Sequence, residues 1–300
     1  MNIKQMKKRS PGRRLFVIVN YTFLSLVAFL CLLPLLNQLA ISFSTDAAVS
    51  TGTVGLLPKQ PTVKSYLFMA RKPEFFSSLV VSLERIALAV PISLVVSVLA
   101  AYPLSRQTSQ FRARKYLIWY FIVPMLFWGG LIPTYMAVRN TGLINRIWAL
   151  VIPGAVNVFN ILLLMNFFRN IPRELEEAAL IDGAGSMRVL VSIILPVSAP
   201  VIATVTLFFI VNHWNSWFDG LIYMNSPGRY PLQTYLQTRV IAHNMTAMDS
   251  LREVREMSAG VSDRTGKAAQ LFLSALPILA VYPFLQKYFT TGIVMGSVKG

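Results

Sequence analysis

The chain has 300 residues, of which 55% are hydrophobic and only 13% are charged. Charged residues usually make up about 25% of a soluble domain, so this composition excludes a soluble globular protein and indicates a membrane protein. The net charge of +16 does not indicate a nucleic-acid-binding protein, because the basic residues flank apolar runs instead of forming one patch.

Six apolar stretches are long enough to cross a bilayer, which requires roughly 20 apolar residues per helix. The second stretch is expected to begin near Phe75 and so to include Glu84 and Arg85. The pattern predicts an all-α, polytopic membrane protein with a transmembrane domain over residues 15–290. The uncharged runs are Leu15 to Thr45, Ile86 to Ser105, Tyr116 to Val138, Ile147 to Phe168, Val189 to Phe218 and Ala268 to Gln286.

The basic leader over residues 1–14 predicts the orientation of these spans. Positive charge before a first span is typical of a cytoplasmic N-terminus. A cleaved signal peptide is the alternative, but the first run is roughly twice as long as a signal peptide's apolar segment and no small-residue cleavage site ends it. Alternation then places segment 170–196 and the tail 287–300 in the cytoplasm, and loop 225–266 outside. The first run holds the only cysteine, Cys31, so no internal disulfide can form.

Segment 170–196, between the fourth and fifth spans, has the pattern of a short helix. Pro172 suits a first helical position, and three glutamates that follow it favour the positive end of a helix. Gly183 and Gly185 are expected to end the helix after about three turns. Ala178 and Ala179 give it a face of small residues that permits close approach to another surface.

A second helix is expected to run from this segment into the membrane. Ser186 can cap it, and Pro196 and Pro200 are expected to bend or restart the fifth span. A displacement of the segment would therefore reach a transmembrane helix.

The residues of this segment carry a family resemblance. Glu177-Ala178-Ala179 is followed after three residues by Gly183, and after nine more by Ile193, with Leu195-Pro196 closing the motif. This spacing resembles the EAA loop of ATP-binding-cassette (ABC) importer permeases, and Asp182 and Ala184 match the form common in sugar permeases. The tail Gln286 to Gly300 resembles that of the smaller maltose permease subunit. Gly142 to Asn145 and Tyr282 to Phe289 look closer to permeases for alginate or pectin fragments.

The resemblance implies a bacterial inner-membrane importer driven by a separate ATPase. In the family the loop helix docks in a cleft of that ATPase. The resemblance implies that Glu177 makes a polar or ionic contact with the ATPase, that Gly183 forms the sharp turn, and that Ala178 and Ala179 allow close packing. The implied partners are a second homologous permease forming a heterodimer, two copies of the ATPase with ATP and Mg²⁺, an extracellular solute-binding protein, the oligosaccharide and membrane lipid. The chain has no phosphate-binding G-x-x-x-x-G-K-[ST] motif, so an enzymatic role is not expected, and no cofactor is expected on it.

Polar residues inside a span are costly and are candidates for a substrate path. Spacings of three and four residues in the fifth span predict that several of them share one helical face. Amides can bind sugar hydroxyls, and tryptophans can stack on pyranose rings. The alternative is that the amides join helices and the tryptophans mark the outer interface. The candidates are Asn212, Trp214, Asn215, Ser216, Trp217 and Asp219, with Asn157, Asn160 and Asn166 of the fourth span as weaker ones.

Other functions predict other features. A gradient-driven sugar carrier would show inverted repeats and ionisable groups at the midplane, and no such repeat is visible. A membrane-embedded transferase would show clustered acids, whereas those here are scattered. Glu84 and Arg85 are expected to pair with each other or with the interface. Positive charge on outer loops can assist an acidic oligosaccharide, at Arg139, Arg146, Arg229 and Arg239.

Overall fold

The computed structural model of the protein describes residues 11–107, 111–127, 129–238 and 264–280. Every regular element in these ranges is helical, and the β-contact between Ser44 and Pro61 is an isolated bridge. The predicted all-α class is therefore confirmed for these ranges. The first ten residues, most of the loop 225–266 with Arg239 and His243, and the tail 287–300 lie outside the described residues.

The chain divides into two compact units, and the first comprises Met1–Lys72 and Asn244–Leu273. Its helices include α1 (Pro11–Ser42), α2 (Asp46–Ser50) and α3 (Lys64–Ala70). In α1, Leu15–Ser42 is long and apolar enough to span a membrane, and its apolar window buries no side chains in this chain. Its surface is therefore available to lipid or to another subunit.

The second unit comprises Pro73–His243 and Ser274–Gly300. Its described helices are α4 (Pro73–Ser105), α5 (Arg114–Leu126), α6 (Leu131–Asn140), α7 (Trp148–Val151), α8 (Val158–Arg169), α9 (Arg173–Ile181), α10 (Ser186–Val197), α11 (Ala199–Asn215), α12 (Phe218–Tyr223) and α13 (Leu232–Leu236). The last helix described covers residues 264–280, of which 264–273 are assigned to the first unit and 274–280 to the second.

Helix α4 is the centre of the second unit and packs against α8 and α11. Small residues recur every four positions along it and have no exposed surface, at Ala89, Ser93, Ser97 and Ala101. Small side chains let helix backbones approach closely, which is how membrane helices commonly associate. The core around this contact includes Ile161, Leu164, Ile194 and Val205, each completely buried.

The predicted spans are not all continuous helices. Pro73–Ser105 is one unbroken span, but α5 and α6 meet at 115° and α10 and α11 at 84°. Gly130, with φ +91°, precedes α6, and Ser198, between two prolines, separates α10 from α11. The fourth run is interrupted at Pro153-Gly154 and gives α8 only 12 residues. The count of six spans stays a prediction.

Candidate functional site

The motif helix predicted between the fourth and fifth spans is α9. It begins at Arg173, directly after Pro172, and ends at Ile181. Gly183 then adopts φ +79°, and the amide of Ala184 returns to the carbonyl of Ala179 at 2.9 Å. This is a helix-ending turn that favours glycine, because a Cβ is disfavoured at positive φ.

The two motif alanines face different surroundings. Ala179 and Ala184 pack against the core of the second unit, whereas Ala178 is exposed. The expectation of one small-residue face is therefore only half right, because a helical step of 100° turns consecutive residues to different sides. Ala179 seats α9 on its own chain, and Ala178 remains open to a partner.

An ionic clamp joins α9 to the end of α4. Arg106 forms an ion pair with Glu176, and both side chains are largely buried. Arg106 also donates to the Tyr102 hydroxyl, and its guanidinium lies 4.4 Å from the centre of that ring. The Tyr102 hydroxyl in turn donates to the Ser186 carbonyl at 3.1 Å. These four residues, the α4–α9 clamp, connect the long central span to both helices of the motif segment.

The opposite side of α9 has no such attachment among the described residues. Glu177 and Ala178 are exposed, and Ile181 exposes 86% of its surface. Met187, at the start of α10, is 61% exposed. Exposed apolar residues beside a charged one are typical of a protein contact surface. We call these four residues the docking face; Ile181 and Met187 are not among the predicted residues, although an apolar pair around the Gly183 turn is a signal for them.

Helix α10 differs from its prediction at both ends. Its N-cap is Gly185, and Ser186 is already helical without a side-chain cap, so the predicted capping role of Ser186 is wrong. Leu190–Ile194 forms a π turn that buries Leu190 and Ile194. Of the remaining motif residues, Ile193 and Leu195 are half-buried and Pro196 is exposed beside the break at Ser198.

A cavity of about 330 Å³ opens between α9 and the ends of three other helices. We call it the inner cavity. Its lining is rich in arginine and includes Arg106 and Glu176 of the clamp. The lining residues are Ser105, Arg106, Gln107, Arg114, Phe168, Arg169, Ile171, Arg173, Glu176, Glu177 and Leu180.

A second ionic cluster lies at the other end of α11. Arg85 is 2% exposed and pairs with Asp219, and its Nε donates to Nδ1 of His213 at 3.3 Å. Asp219 also accepts from the Ser216 hydroxyl at 2.8 Å. The expectation that Glu84 and Arg85 pair with each other or with the interface is wrong for Arg85, because Arg85 pairs with Asp219 instead. Glu84 is exposed.

The predicted path residues do not form one continuous helical face. Helix α11 ends at Asn215, and Asp219 belongs to α12. The sequence gives only a weak signal for the end of α11, because Ser216, which follows its last residue, is neither proline nor glycine. Asn212, Asn215 and Trp217 are exposed, Ser216 is half-buried, and Trp214 is 3% exposed.

The fourth-span asparagines have mostly local roles. Asn157 caps α8 by accepting from the Asn160 amide at 3.1 Å, and Asn160 is itself 3% exposed. Asn166 is exposed, and its carbonyl accepts from Asn170 at 3.0 Å. Asn157 and Asn166 therefore take part in local hydrogen bonds within or beside α8.

A smaller cavity of about 210 Å³ is lined in part by arginines that the sequence predicts on outer loops. Arg146 and Arg229 line it together with Glu84 and Asn145. The Asn145 carbonyl accepts from Arg229 at 2.6 Å, and the Asn145 amide donates to the Tyr223 carbonyl at 2.8 Å. Two of the arginines predicted to assist an acidic oligosaccharide, Arg146 and Arg229, therefore lie at this cavity. A third, Arg139, is exposed on α6.

The comparisons with known proteins agree on one family. The profile described as "Binding-protein-dependent transport system inner membrane component" matches residues 67–295. Protein LplC of Bacillus subtilis is 39% identical, with 99% of each chain covered. The polygalacturonan/rhamnogalacturonan transport system permease protein YtcP of the same organism is 37% identical, covering 96% of this chain and 99% of that protein. A chain in the crystal structure of a bacterial ABC transporter involved in the import of the acidic polysaccharide alginate is 31% identical with a TM-score of 0.86, covering 94% of this chain and 99% of that one.

Proposed function

Because the chain belongs to the family of binding-protein-dependent transport system inner membrane components, we propose that it is the permease subunit of an ABC importer for oligosaccharides, and that its cargo is an acidic polysaccharide fragment. The family assignment supports this function over a gradient-driven carrier. The similarity to permeases of pectin-fragment and alginate transporters supports the acidic cargo.

The observation that carries the proposal is the two-sided arrangement of α9. One side is held to its own chain by Ala179 and by the Arg106–Glu176 pair. The other side presents Ala178 and Ile181 to the exterior of the chain, with the exposed Glu177 at its edge beside the inner cavity. A helix fixed on one side and open on the other suits a contact with a separate ATPase.

Motion received at the docking face has two routes into the second unit. One runs through α10 and its π turn to α11, and involves Gly183, Ile193, Leu195 and Pro196. The other runs through the α4–α9 clamp to α4, which carries Arg85 and so reaches Asp219. Both routes converge on the segment around Asn215. Movement there would change access to a path that includes Asn212 and Trp217.

The proposed assembly contains this chain, a second homologous permease, two ATPase copies that bind ATP and Mg²⁺, and an extracellular solute-binding protein. Asn212 and Asn215 supply donors and acceptors for sugar hydroxyls, and Trp217 supplies a ring for stacking. Arg139, Arg146 and Arg229 on the outer loops attract a carboxylated chain by long-range electrostatics. The docking segment faces the cytoplasm, as do both termini.

The experiment that tests the proposal is sugar-stimulated ATP hydrolysis by the assembled transporter. A tagged chain is purified with its ATPase, reconstituted, and assayed with the binding protein and either uronate or neutral oligosaccharides. We expect uronate oligomers to stimulate hydrolysis more strongly. Equal or greater stimulation by neutral oligomers would contradict the acidic cargo and leave the importer function standing.

Glu177→Lys tests the docking face in the same assay. Reversing this charge should remove a polar contact and add repulsion, lowering ATPase retention by about tenfold or more. Asp46→Lys makes the same reversal in the first unit and is the matched control, expected to retain the ATPase. If Glu177→Lys retains a fully stimulated ATPase, Glu177 is not a docking residue.

A further inference from the structure

The smaller cavity brings charges of both signs together without pairing them. Glu84 lies on α4, Arg146 lies between α6 and α7, and Arg229 ends the short turn Pro227–Arg229. Within the described ranges, the side chains of Glu84 and Arg146 take part in no ion pair and no hydrogen bond. Opposite charges that line one cavity without contact leave room for a ligand that both donates and accepts hydrogen bonds.

Asn145 holds the arginine side of this cavity in one conformation. Its φ of +60° lies in the left-handed region, which asparagine enters more readily than most residues. Its amide donates to the Tyr223 carbonyl at 2.8 Å, its carbonyl accepts from Arg229 at 2.6 Å, and its Oδ1 accepts from the Asn225 amide at 3.3 Å. Its two Nδ2 donors have no partner in the part of the chain that the structure describes.

The floor of the smaller cavity is apolar. Val81, Ile147 and Met224 form it, and Met224 is 4% exposed because it belongs to a buried cluster with Val138 and Leu150. An apolar floor with a few fixed polar groups is typical of a small-molecule site. The volume of about 210 Å³ is below the roughly 300–1,000 Å³ of pockets for drug-sized ligands, so the cavity suits one sugar ring and not a longer chain.

We propose that the smaller cavity binds one uronate ring of an acidic oligosaccharide. Arg146 and Arg229 pair with its carboxylate, since a guanidinium offers carboxylate oxygens two parallel N–H donors. The ring hydroxyls donate to Glu84 and accept from Nδ2 of Asn145. The inference rests on the proposed function, because it takes the cargo to be acidic and this end of the chain to face outward.

The two signs of charge favour a uronate ring over simpler ligands. A carboxylate on a protein side chain would pair with the arginines, but it brings no hydroxyl for Glu84, whose charge repels it. A neutral ring would bind Glu84 and leave the arginines without a counter-charge. This subsite is separate from the predicted path, because Asn212, Asn215 and Trp217 do not line the cavity.

Saturation-transfer NMR of the assembled, detergent-solubilised transporter without its binding protein tests the proposal. Trigalacturonate is the acidic probe and maltotriose the neutral one. We expect trigalacturonate to bind selectively, with a Kd about tenfold higher in Arg146→Gln through the loss of one charge-assisted hydrogen bond. Arg71→Gln is the matched control, because Arg71 is exposed on the same predicted side and does not line the cavity.

Glu84→Ala separates a uronate ring from a bare anion. If Glu84 accepts from ring hydroxyls, this change weakens trigalacturonate binding, whereas at a site for a carboxylate alone it removes repulsion and strengthens binding. Stronger binding in Glu84→Ala therefore overturns the proposal. Equal binding in wild type and Arg146→Gln, or equal binding of maltotriose and trigalacturonate, also overturns it.

Two further measurements identify the source of any failure. Cross-linking of Arg146→Cys to the solute-binding protein that trigalacturonate does not prevent would identify a protein contact and overturn the proposal. Sugar-stimulated hydrolysis by the unaltered transporter with its binding protein is measured in parallel. Its presence alongside any negative binding result leaves the importer function standing, and its absence alongside selective trigalacturonate binding contradicts the importer function while supporting the uronate site.

Discussion

Gly183 is the residue on which the shape of the docking segment depends most directly. Its φ of +79° lies in the left-handed region, where a side chain costs about 1–2 kcal/mol. Space is not the constraint, because within the described ranges nothing except its two chain neighbours lies within 4 Å of the point where a Cβ would stand. The requirement for glycine is therefore one of backbone conformation alone.

Gly183→Ala should weaken the coupling of ATP hydrolysis to transport. The strain loosens the turn between α9 and α10, so we expect a lower ratio of sugar imported to ATP hydrolysed and a small loss of stability. Gly185→Ala is the matched control, since Gly185 has φ −72° and equally open surroundings. The same decrease in both variants would show that conformation at Gly183 is not the cause.

Arg85 and Asp219 form a pair whose partners are 134 residues apart in sequence. Because Arg85 is 2% exposed, replacing Asp219 leaves a buried charge unpaired, at a cost of about 3–5 kcal/mol, whereas the Asp219 side chain is 23% exposed and should lose less when Arg85 is replaced. Arg85→Gln and Asp219→Asn should each lower the thermal unfolding midpoint of the purified complex. Replacing both, with Arg85→Met and Asp219→Leu, should cost less than the two single changes together.

Glu84→Gln is the control for this pair, because Glu84 is adjacent but exposed. We expect its unfolding midpoint to match that of the unaltered protein. A decrease equal to that of Arg85→Gln would mean that any charge change at this end of α4 destabilises the chain. The Arg85–Asp219 contact would then not be the reason.

At the level of helices, the clamp predicts that α4 and α9 move together. Arg106→Gln or Glu176→Gln should reduce sugar uptake per ATP hydrolysed, because displacement of α9 no longer reaches α4. The Arg106 and Glu176 side chains are only 20% and 16% exposed. Exposed ion pairs have coupling energies of at most about 1 kcal/mol in double-mutant cycles, and we expect this pair to exceed that value.

A charge swap separates the clamp from a general loss of structure. Arg106→Glu combined with Glu176→Arg should restore part of the uptake that either single reversal removes. Arg112→Gln, on the same loop, should leave the ratio unchanged. No recovery in the swapped protein, with the complex still assembled, would exclude the clamp as a route of coupling.

The sequence predicts the helices whose boundaries are local. Pro172, the glutamates after it and Gly183 predict helix α9, and these are signals that act within one turn. The break after Asn215 has no such local signal. It is stabilised by the contact between Asp219 of α12 and Arg85 of α4, which are 134 residues apart in sequence. The pairing of Glu176 with Arg106 is hidden in the sequence for the same reason: adjacent glutamates look alike there, and only packing distinguishes the paired one from the exposed one.

For the whole molecule, the α5–α6 pair poses a question of topology. Helices meeting at 115° can be one broken span or a loop that enters and leaves on the same side. Among the described residues no α5 side chain is fully buried, although Leu117, Ile118 and Phe121 pack partly against the core, so a second subunit or lipid can cover its remaining surface. The predicted orientation requires the pair to cross the membrane.

Cysteine labelling in intact spheroplasts tests the crossing. In a Cys31→Ser background, Asn140→Cys should react with a membrane-impermeant maleimide, and Arg112→Cys only after permeabilisation. Both positions are exposed within the chain. Labelling of both from outside would contradict the predicted orientation and indicate a re-entrant loop.

In the proposed coupling route, the 84° angle between α10 and α11 would set the direction in which displacement of the motif segment reaches α11. Two rigid helices joined near a right angle move together, so that a sideways displacement of α10 becomes a tilt of α11. The joint at Ser198, flanked by Pro196 and Pro200, must resist flexing for this to work. If the proposed coupling route is right, a flexible joint at the buried Ser198 would let the ATPase hydrolyse ATP without moving the substrate path, and a rigid one would couple hydrolysis to import.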